Sequence, residues 1–287
     1  MVFLVWRGSM IVALFAAVGL AGASAAGSSD DPEKTVCGWL LERAAFALWS
    51  SVAGRPDPTA WKSVPGATPV VHQTRDGRTL QGYRISAHPP GSAASPATGF
   101  MLFAQGNAML ADRLLGELAT FAERGVDVFV YDYRGYGHSQ GTPRLKAIVD
   151  DYRDIFHALG AQVPGGQKYL YGISFGGIVL LNVIGGRASF DRAVIDSTPS
   201  RVSPRGCPEQ YDPVRNLPPD ASGLLVISGD RDGVVTPSEQ AELRSAAASR
   251  GARVVSSESF AHPFMDRDVA THRARQRLIS TFLFGER

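Results

Sequence analysis

One serine in the sequence has neighbours suited to nucleophilic chemistry. Residues 168–173 are strand-forming and run into Gly172-Ile173-Ser174-Phe175-Gly176, a Gly-x-Ser-x-Gly pattern. The apolar segment 178–184 that follows reads as a buried helix. Strand, sharp turn and helix in that order hold a serine in a strained backbone conformation, its hydroxyl above the end of a sheet. Gly172, Gly176 and Gly177 remove the Cβ atoms that would collide where strand and helix approach. The alternative is a structural turn that contains a serine. Acyl transfer by such a hydroxyl needs a base beside it and a group that orients the base. It also needs backbone N–H groups aimed at the developing oxyanion. Phe175, the residue after the nucleophile, supplies one at the start of its helix, where the dipole helps.

The elements that must position this turn can be read from hydrophobic patterning. Two short strands, at 70–74 and 79–85, flank Asp76-Gly77 and predict a hairpin. After a loop at 89–98, buried strands at 100–104 and 126–131 alternate with helical stretches at 110–124 and 145–159. Later strands are expected at 193–195, 224–227 and 253–255, with helices at 237–250 and 269–284. Buried strands alternating with helices imply a mostly parallel sheet, wrapped on both sides. Between Asp196 and Leu224 the chain is proline-rich and leaves room for a short excursion, not a helical cap domain.

The chain has 287 residues, 44% hydrophobic and 20% charged, with a formal net charge of +2. The basic residues are scattered, which argues against a nucleic-acid partner. The local exception, His272-Arg273-Ala274-Arg275-Gln276-Arg277, reads as a solvated helix face. Arg7, the apolar run from Met10 to Leu20 and the small residues up to Gly27 read as a secretory signal peptide over residues 1–26. An uncleaved membrane anchor is the alternative. Residues 27–66 form a linker and an amphipathic helix from 33 to 52, in which Trp39, Leu40, Ala44, Leu48 and Trp49 share a face. That helix either packs on the domain or serves as a flap or membrane-surface contact. In an exported chain Cys37 and Cys207 are expected to pair, the alternative being two separate buried thiols.

Two further segments carry a family resemblance. Gln105-Gly106-Asn107-Ala108 resembles the His-Gly-x oxyanion loop of the α/β-hydrolase superfamily, with glutamine where histidine is usual. Asp132-Tyr133-Arg134-Gly135-Tyr136-Gly137-His138-Ser139-Gln140-Gly141 resembles its Asp-x-Arg-Gly-x-Gly-x-Ser segment. The set is most similar to the serine-aminopeptidase-like, abhydrolase-domain branch, which includes esterases, lipases and acyl-protein thioesterases. The resemblance implies an α/β-hydrolase fold over residues 67–287 with little or no cap domain. It also implies the chain order serine, acid, histidine. His72, His88, His138 and His157 precede Ser174, so His262, in a loop after the last strand, is the expected base, and His272 falls on an exposed helix. For the acid, the resemblance selects Asp232 in Gly229-Asp230-Arg231-Asp232, with Asp230 and Asp196 as alternatives. Asn107 is implied as the second oxyanion donor. Asp132 and Arg134 are read as ordering a loop beside the site.

The sequence contains no metal-ligand pattern of the His-Glu-x-x-His kind and no phosphate-cradling loop, and the triad requires no cofactor or metal. The expected protein is a secreted or periplasmic serine hydrolase that cleaves carboxylic esters or thioesters of small-molecule or lipid-like substrates. A peptidase or amidase using the same residues, and an inactive hydrolase-fold binding protein, are the alternatives.

Overall fold

A computed structural model describes residues 31–87 and 97–285. The expected leader at 1–26 and most of the expected loop at 89–98 lie outside the described residues. Residues 32–287 make one compact unit. Its centre is an eight-stranded sheet in the order β1-β2-β4-β3-β5-β6-β7-β8. β1 (Ala67–Gln73) and β2 (Thr79–Ile85) form the expected antiparallel hairpin, and β2 runs antiparallel to β4 (Asp127–Tyr131). β3 (Gly99–Ala104), β4, β5 (Gln167–Ile173), β6 (Arg192–Asp196), β7 (Leu224–Gly229) and β8 (Arg253–Ser257) are parallel.

Every residue of β3 and β4 is buried, which is why both read as continuous apolar runs and not as alternations. Their side chains nonetheless divide between two cores. Phe100, Leu102 and Ala104 face α3 (Leu145–Gln162), α4 (Phe175–Gly185) and α5 (Pro237–Ser249). Met101 and Phe103 face α2 (Leu115–Ala122) and α6 (Val269–Phe284). α3 turns Leu145, Ile148, Val149, Tyr152, Ile155, Phe156 and Leu159 inward at helical spacing. α5 starts where Thr236 and Glu239 form a capping box with Pro237 in the first turn. The 110–124 stretch is shorter than its pattern suggested: a 3-10 turn at Ala111–Arg113 precedes α2.

The helix before the sheet departs from expectation twice. It begins at Trp39 and not at residue 33, because Gly38 has φ 72° and the Val36 and Cys37 N–H groups are taken by the Glu42 carboxylate. This helix, α1 (Trp39–Ala53), also presents a different face to the body. Glu42, Phe46 and Ala53 are buried, whereas Trp39, Leu40, Leu41, Leu48 and Val52 are exposed. Of the apolar stripe picked out by periodicity only Trp49 packs against the core, edge-on to Phe46; Trp39, Leu40 and Leu48 do not. The position of the helix is set by long-range bonds: Glu42 also accepts from Leu145 N at 2.8 Å, and Cys37 is disulfide-bonded to Cys207, 170 residues away.

Closing so long a loop stabilises the fold by about 3–5 kcal/mol through lost entropy of the unfolded chain. The C37S/C207S double variant is expected to melt about 10 °C below the oxidised protein. Thermal unfolding followed by circular dichroism, with and without dithiothreitol, checks this; coincident curves would show that the bridge contributes nothing.

Candidate active site

Ser174 stands between the end of β5 and the start of α4, with φ 54° and ψ −113°. A non-glycine residue in that region stores strain of about 1–3 kcal/mol and persists only where its surroundings dictate it. Here they do. The Ser174 N–H donates to the Asp196 carbonyl at 2.8 Å, and its own carbonyl accepts from Gly177 N and from the Thr198 hydroxyl. The first turn of α4 is pressed against neighbouring strand ends. A Cβ on Gly176 would fall 1.9 Å from the Ala104 carbonyl oxygen, and one on Gly177 would fall 1.9 Å from Thr198 Oγ1. Glycine is required at both, and the Gly-x-Ser-x-Gly pattern records that close approach.

Asp232 follows β7 and His262 follows β8, so both lie at the same edge of the sheet as Ser174. His262 Nδ1 donates to Asp232 Oδ2 at 2.9 Å, with Oδ1 at 3.1 Å. The carboxylate can only accept, so Nδ1 carries the proton and the Nε2 lone pair is left to act as a base. Asp232 is 3% exposed and also accepts from the Val234 and Val235 N–H groups, each at 2.9 Å. Burial pushes its carboxyl up, but the His262 ring and the two N–H groups together outweigh burial and hold it below the usual carboxylate range. No hydrogen bond joins the Ser174 hydroxyl to the His262 ring among the described residues. Such bonds are often long in free enzymes and tighten on substrate binding.

The other acid candidates are placed apart from this pairing. Asp230 is exposed and accepts from the Ser256 hydroxyl, ordering the loop after β7. Asp196 is fully buried at the end of β6, where its carbonyl holds Ser174. His272 is half-buried and paired with Glu117 at 2.8 Å, a correction to its expected exposure.

The Gln105–Ala108 turn lies against the serine: a Cβ on Gly106 would be 3.8 Å from Ser174 Cβ. Gln105 is wholly buried, and its amide donates to the Tyr131 carbonyl, so here glutamine is part of the scaffold. The Asn107 side chain accepts from Tyr136 Oη at 2.6 Å. The N–H groups of Asn107 and Phe175 have no acceptor among the described residues. Two such donors flanking a nucleophile can receive an oxyanion. The 132–141 segment is structural. Arg134 is paired with Asp151 and Asp76, and Asp132 accepts from Ala111 N at 2.8 Å. Among the described residues, no group of three or more side chains is placed to hold a metal ion.

Two features escaped the sequence reading. Phe46 of α1 packs edge-on against Phe175, with ring centroids 5.6 Å apart, bringing the N-terminal helix to the rim of the site. Arg275, read as one of a solvated row, is 1% exposed. The only local signal was that it falls one turn before Ile279 on the buried face of α6.

An eight-stranded, mostly parallel sheet with a serine elbow after β5 defines an α/β-hydrolase fold. The chain therefore has the fold of the α/β hydrolases. Residues 95–213 match the family described as serine aminopeptidase, S33. The uncharacterized protein YfhR of Escherichia coli K12 is 31% identical over 170 residues, which is 56% of this chain and 57% of that protein. The chain thus spans little more than half the length of that curated relative. Among solved structures, the Pyrococcus furiosus esterase Pf2001 is similar with a TM-score of 0.61 and 17% identity, over 80% of this chain and 95% of that one. XC6422 from Xanthomonas campestris, described as a serine hydrolase without lid, has a TM-score of 0.57 and 18% identity, over 79% and 96%.

Burial raises the Asp132 carboxyl from 3.8 to about 7, against the pull of the Ala111 N–H. The native state therefore keeps this proton where the unfolded chain releases it. The contribution of Asp132 to stability is largest below its unfolded value and declines as pH rises toward about 7. Asp132→Asn keeps the acceptor for Ala111 and removes the titration. The variant is expected to match wild type near pH 4 and to gain about 2–4 kcal/mol on it by pH 8 in urea titrations. Parallel stability curves for the two proteins would contradict this.

Proposed function

We propose that the protein is a serine hydrolase that cleaves carboxylic esters or thioesters through an acyl-enzyme on Ser174. The observation that carries this reading is the Asp232–His262 pair, set at the sheet edge where the strained Ser174 projects. In the proposed cycle, His262 Nε2 takes the Ser174 proton as Oγ attacks the acyl carbon. The oxyanion is received by the N–H groups of Asn107 and Phe175. Collapse expels the alcohol or thiol, which takes the proton from the imidazolium; a water then attacks the acyl-enzyme by the same route.

Ester chemistry is favoured over aminopeptidase chemistry by the carboxylates around the serine. A free carboxylate beside the serine is one group that could hold a peptide's terminal ammonium, and of the buried ones none is free. Asp232 is committed to His262, Asp196 is fully buried, and Asp132 is buried against Ala111. An apolar substrate is supported by Val234, Phe264 and Met265, exposed on the loops that carry the acid and base. The connection from β6 to β7 contains only 3-10 turns at Ser203–Arg205, Glu209–Tyr211 and Pro213–Asn216, consistent with an open site.

The same reading places the mature chain outside the cytoplasm, supported by the apolar run in residues 10–20. N-terminal sequencing of the exported protein should start near residue 27, and an intact Met1 in that fraction would refute cleavage. It also puts α1 at a lipid surface, supported by exposed Trp39, Leu40, Leu41 and Leu48. Co-flotation with phosphatidylcholine vesicles should be weakened in L41D/L48D, and equal flotation would remove that contact.

A fluorophosphonate probe is expected to label the folded wild type and not S174A. Turnover of p-nitrophenyl esters should fall about 10,000-fold in D232N and H262A. A folded wild type that resists the probe would point to a binding protein. Faster release from aminoacyl-nitroanilides than from esters would point to a peptidase.

A further inference from the structure

The arginine-bearing turn of α6 sends one side chain inward, beneath the loop that carries His262. Arg275 Nη2 donates to the Ala261 carbonyl at 2.6 Å, and its guanidinium lies over the Phe260 ring, 4.4 Å from the centroid. Asp266 accepts from the Ala261 N–H at 2.9 Å and stands 3.8 Å from Arg275 Nε. Both backbone polar groups of the residue before His262 are thus held by buried, charged side chains. The His262 carbonyl in turn accepts from Met265 N at 2.8 Å, in a turn where Phe264 adopts φ 67°. On its other side Arg275 Nε is 3.9 Å from Asp196 Oδ2. Asp196 is the residue whose carbonyl fixes the Ser174 N–H.

Arg275 therefore meets both supports of the proposed reaction centre, the strand end that holds the nucleophile and the loop that holds the base. Its contacts with the two carboxylates are ionic and not hydrogen-bonded, at 3.8 and 3.9 Å. These contacts anchor the loop that carries the imidazole, which makes no hydrogen bond to the Ser174 hydroxyl among the described residues. An apolar side chain in place of Arg275 alone would leave Asp196, Asp266 and the Ala261 carbonyl without their cationic partner, so its removal is expected to cost stability as well as position, and the test must separate the two.

We propose that Arg275 is a positioning residue, which sets the His262 ring against Ser174 by clamping Ala261 together with Asp266 and by tying that loop to Asp196. The proposal rests on the hydrolase reading above. Two readouts separate their failures: ester turnover, and the low-field proton resonance of the His262 Nδ1–H bonded to Asp232, assigned by its loss in H262A.

In Arg275→Met, melting cooperatively, kcat for a p-nitrophenyl ester is expected to fall about 10- to 100-fold with KM within about twofold, since a displacement near 1 Å can cost that much. The low-field resonance should broaden or vanish, while in S174A it persists. Guanidinium ion should restore part of the lost turnover, which a general loss of packing would not allow. A folded Arg275→Met with wild-type kcat and an unchanged resonance would overturn the proposal. If that variant does not fold, Asp266→Asn decides: it keeps Arg275 but weakens the hold on the Ala261 N–H, and an unchanged resonance and kcat there would overturn the clamp. Should wild type prove inert toward all esters, the hydrolase reading falls and the resonance in Arg275→Met still decides whether Arg275 orders His262.

Discussion

The structure depends on how closely the first turn of α4 is driven against the ends of β3 and β6. Gly176 faces the Ala104 carbonyl and Gly177 faces Thr198, with no space for a Cβ at either. That contact leaves Ser174 in a positive-φ conformation between β5 and α4. It also brings the Gln105–Ala108 turn, which continues β3, beside the serine. Ser174 and the N–H groups proposed to receive an oxyanion are thus positioned by one packing constraint, and strain at the serine is offset by the helix and sheet packed around it.

Buried charge extends that constraint outward. Arg134 is held by Asp151 on α3 and by Asp76 in the β1–β2 turn, which ties the hairpin and a core helix to the segment after β4. Burial raises the Asp151 carboxyl even with Arg134 beside it, while Asp151 and Asp76 together raise the Arg134 guanidinium. From this segment Tyr136 reaches the Asn107 side chain, and Tyr133 reaches the Gln105 carbonyl. The Gln105–Ala108 turn is consequently shaped by residues about 30 positions later in the chain, and glutamine at position 105 is accommodated by bonding to Tyr131 on the neighbouring strand.

Among the described residues, the edge that bears Ser174 is bordered by connections and not by a cap. Between β6 and β7 the chain is pinned by Asp212, which accepts from Val202 N, Ser203 N and the Ser203 hydroxyl. Cys207 in the same stretch is bonded to Cys37, and α1 is thereby drawn to the rim beside Phe175. By contrast, a depression of about 430 Å³ lined by Phe190, Asp191, Arg192 and Asp220 lies at the start of β6, on the opposite edge of the sheet.

What the sequence determined alone was whatever is decided within a few residues. The serine elbow was legible because its steric demand is local and is met by adjacent glycines. The parallel strands were legible because burial on both faces makes them continuous apolar runs, and α6 because its helical pattern spans 269–284. His262 followed from the chain order that the α/β-hydrolase resemblance implies and Asp232 from its Gly-x-x-Asp pattern, whereas their hydrogen bond is a matter of geometry. Tertiary structure alone decided the face on which α1 packs, since Glu42 and a disulfide across 170 residues outweigh its apolar stripe. It alone decided the burial of Arg275, whose partners Ala261, Asp266 and Asp196 lie on other segments, and the insertion of β4 between β2 and β3. Periodicity records which positions turn inward; it carries no record of which distant carboxylate or carbonyl waits there.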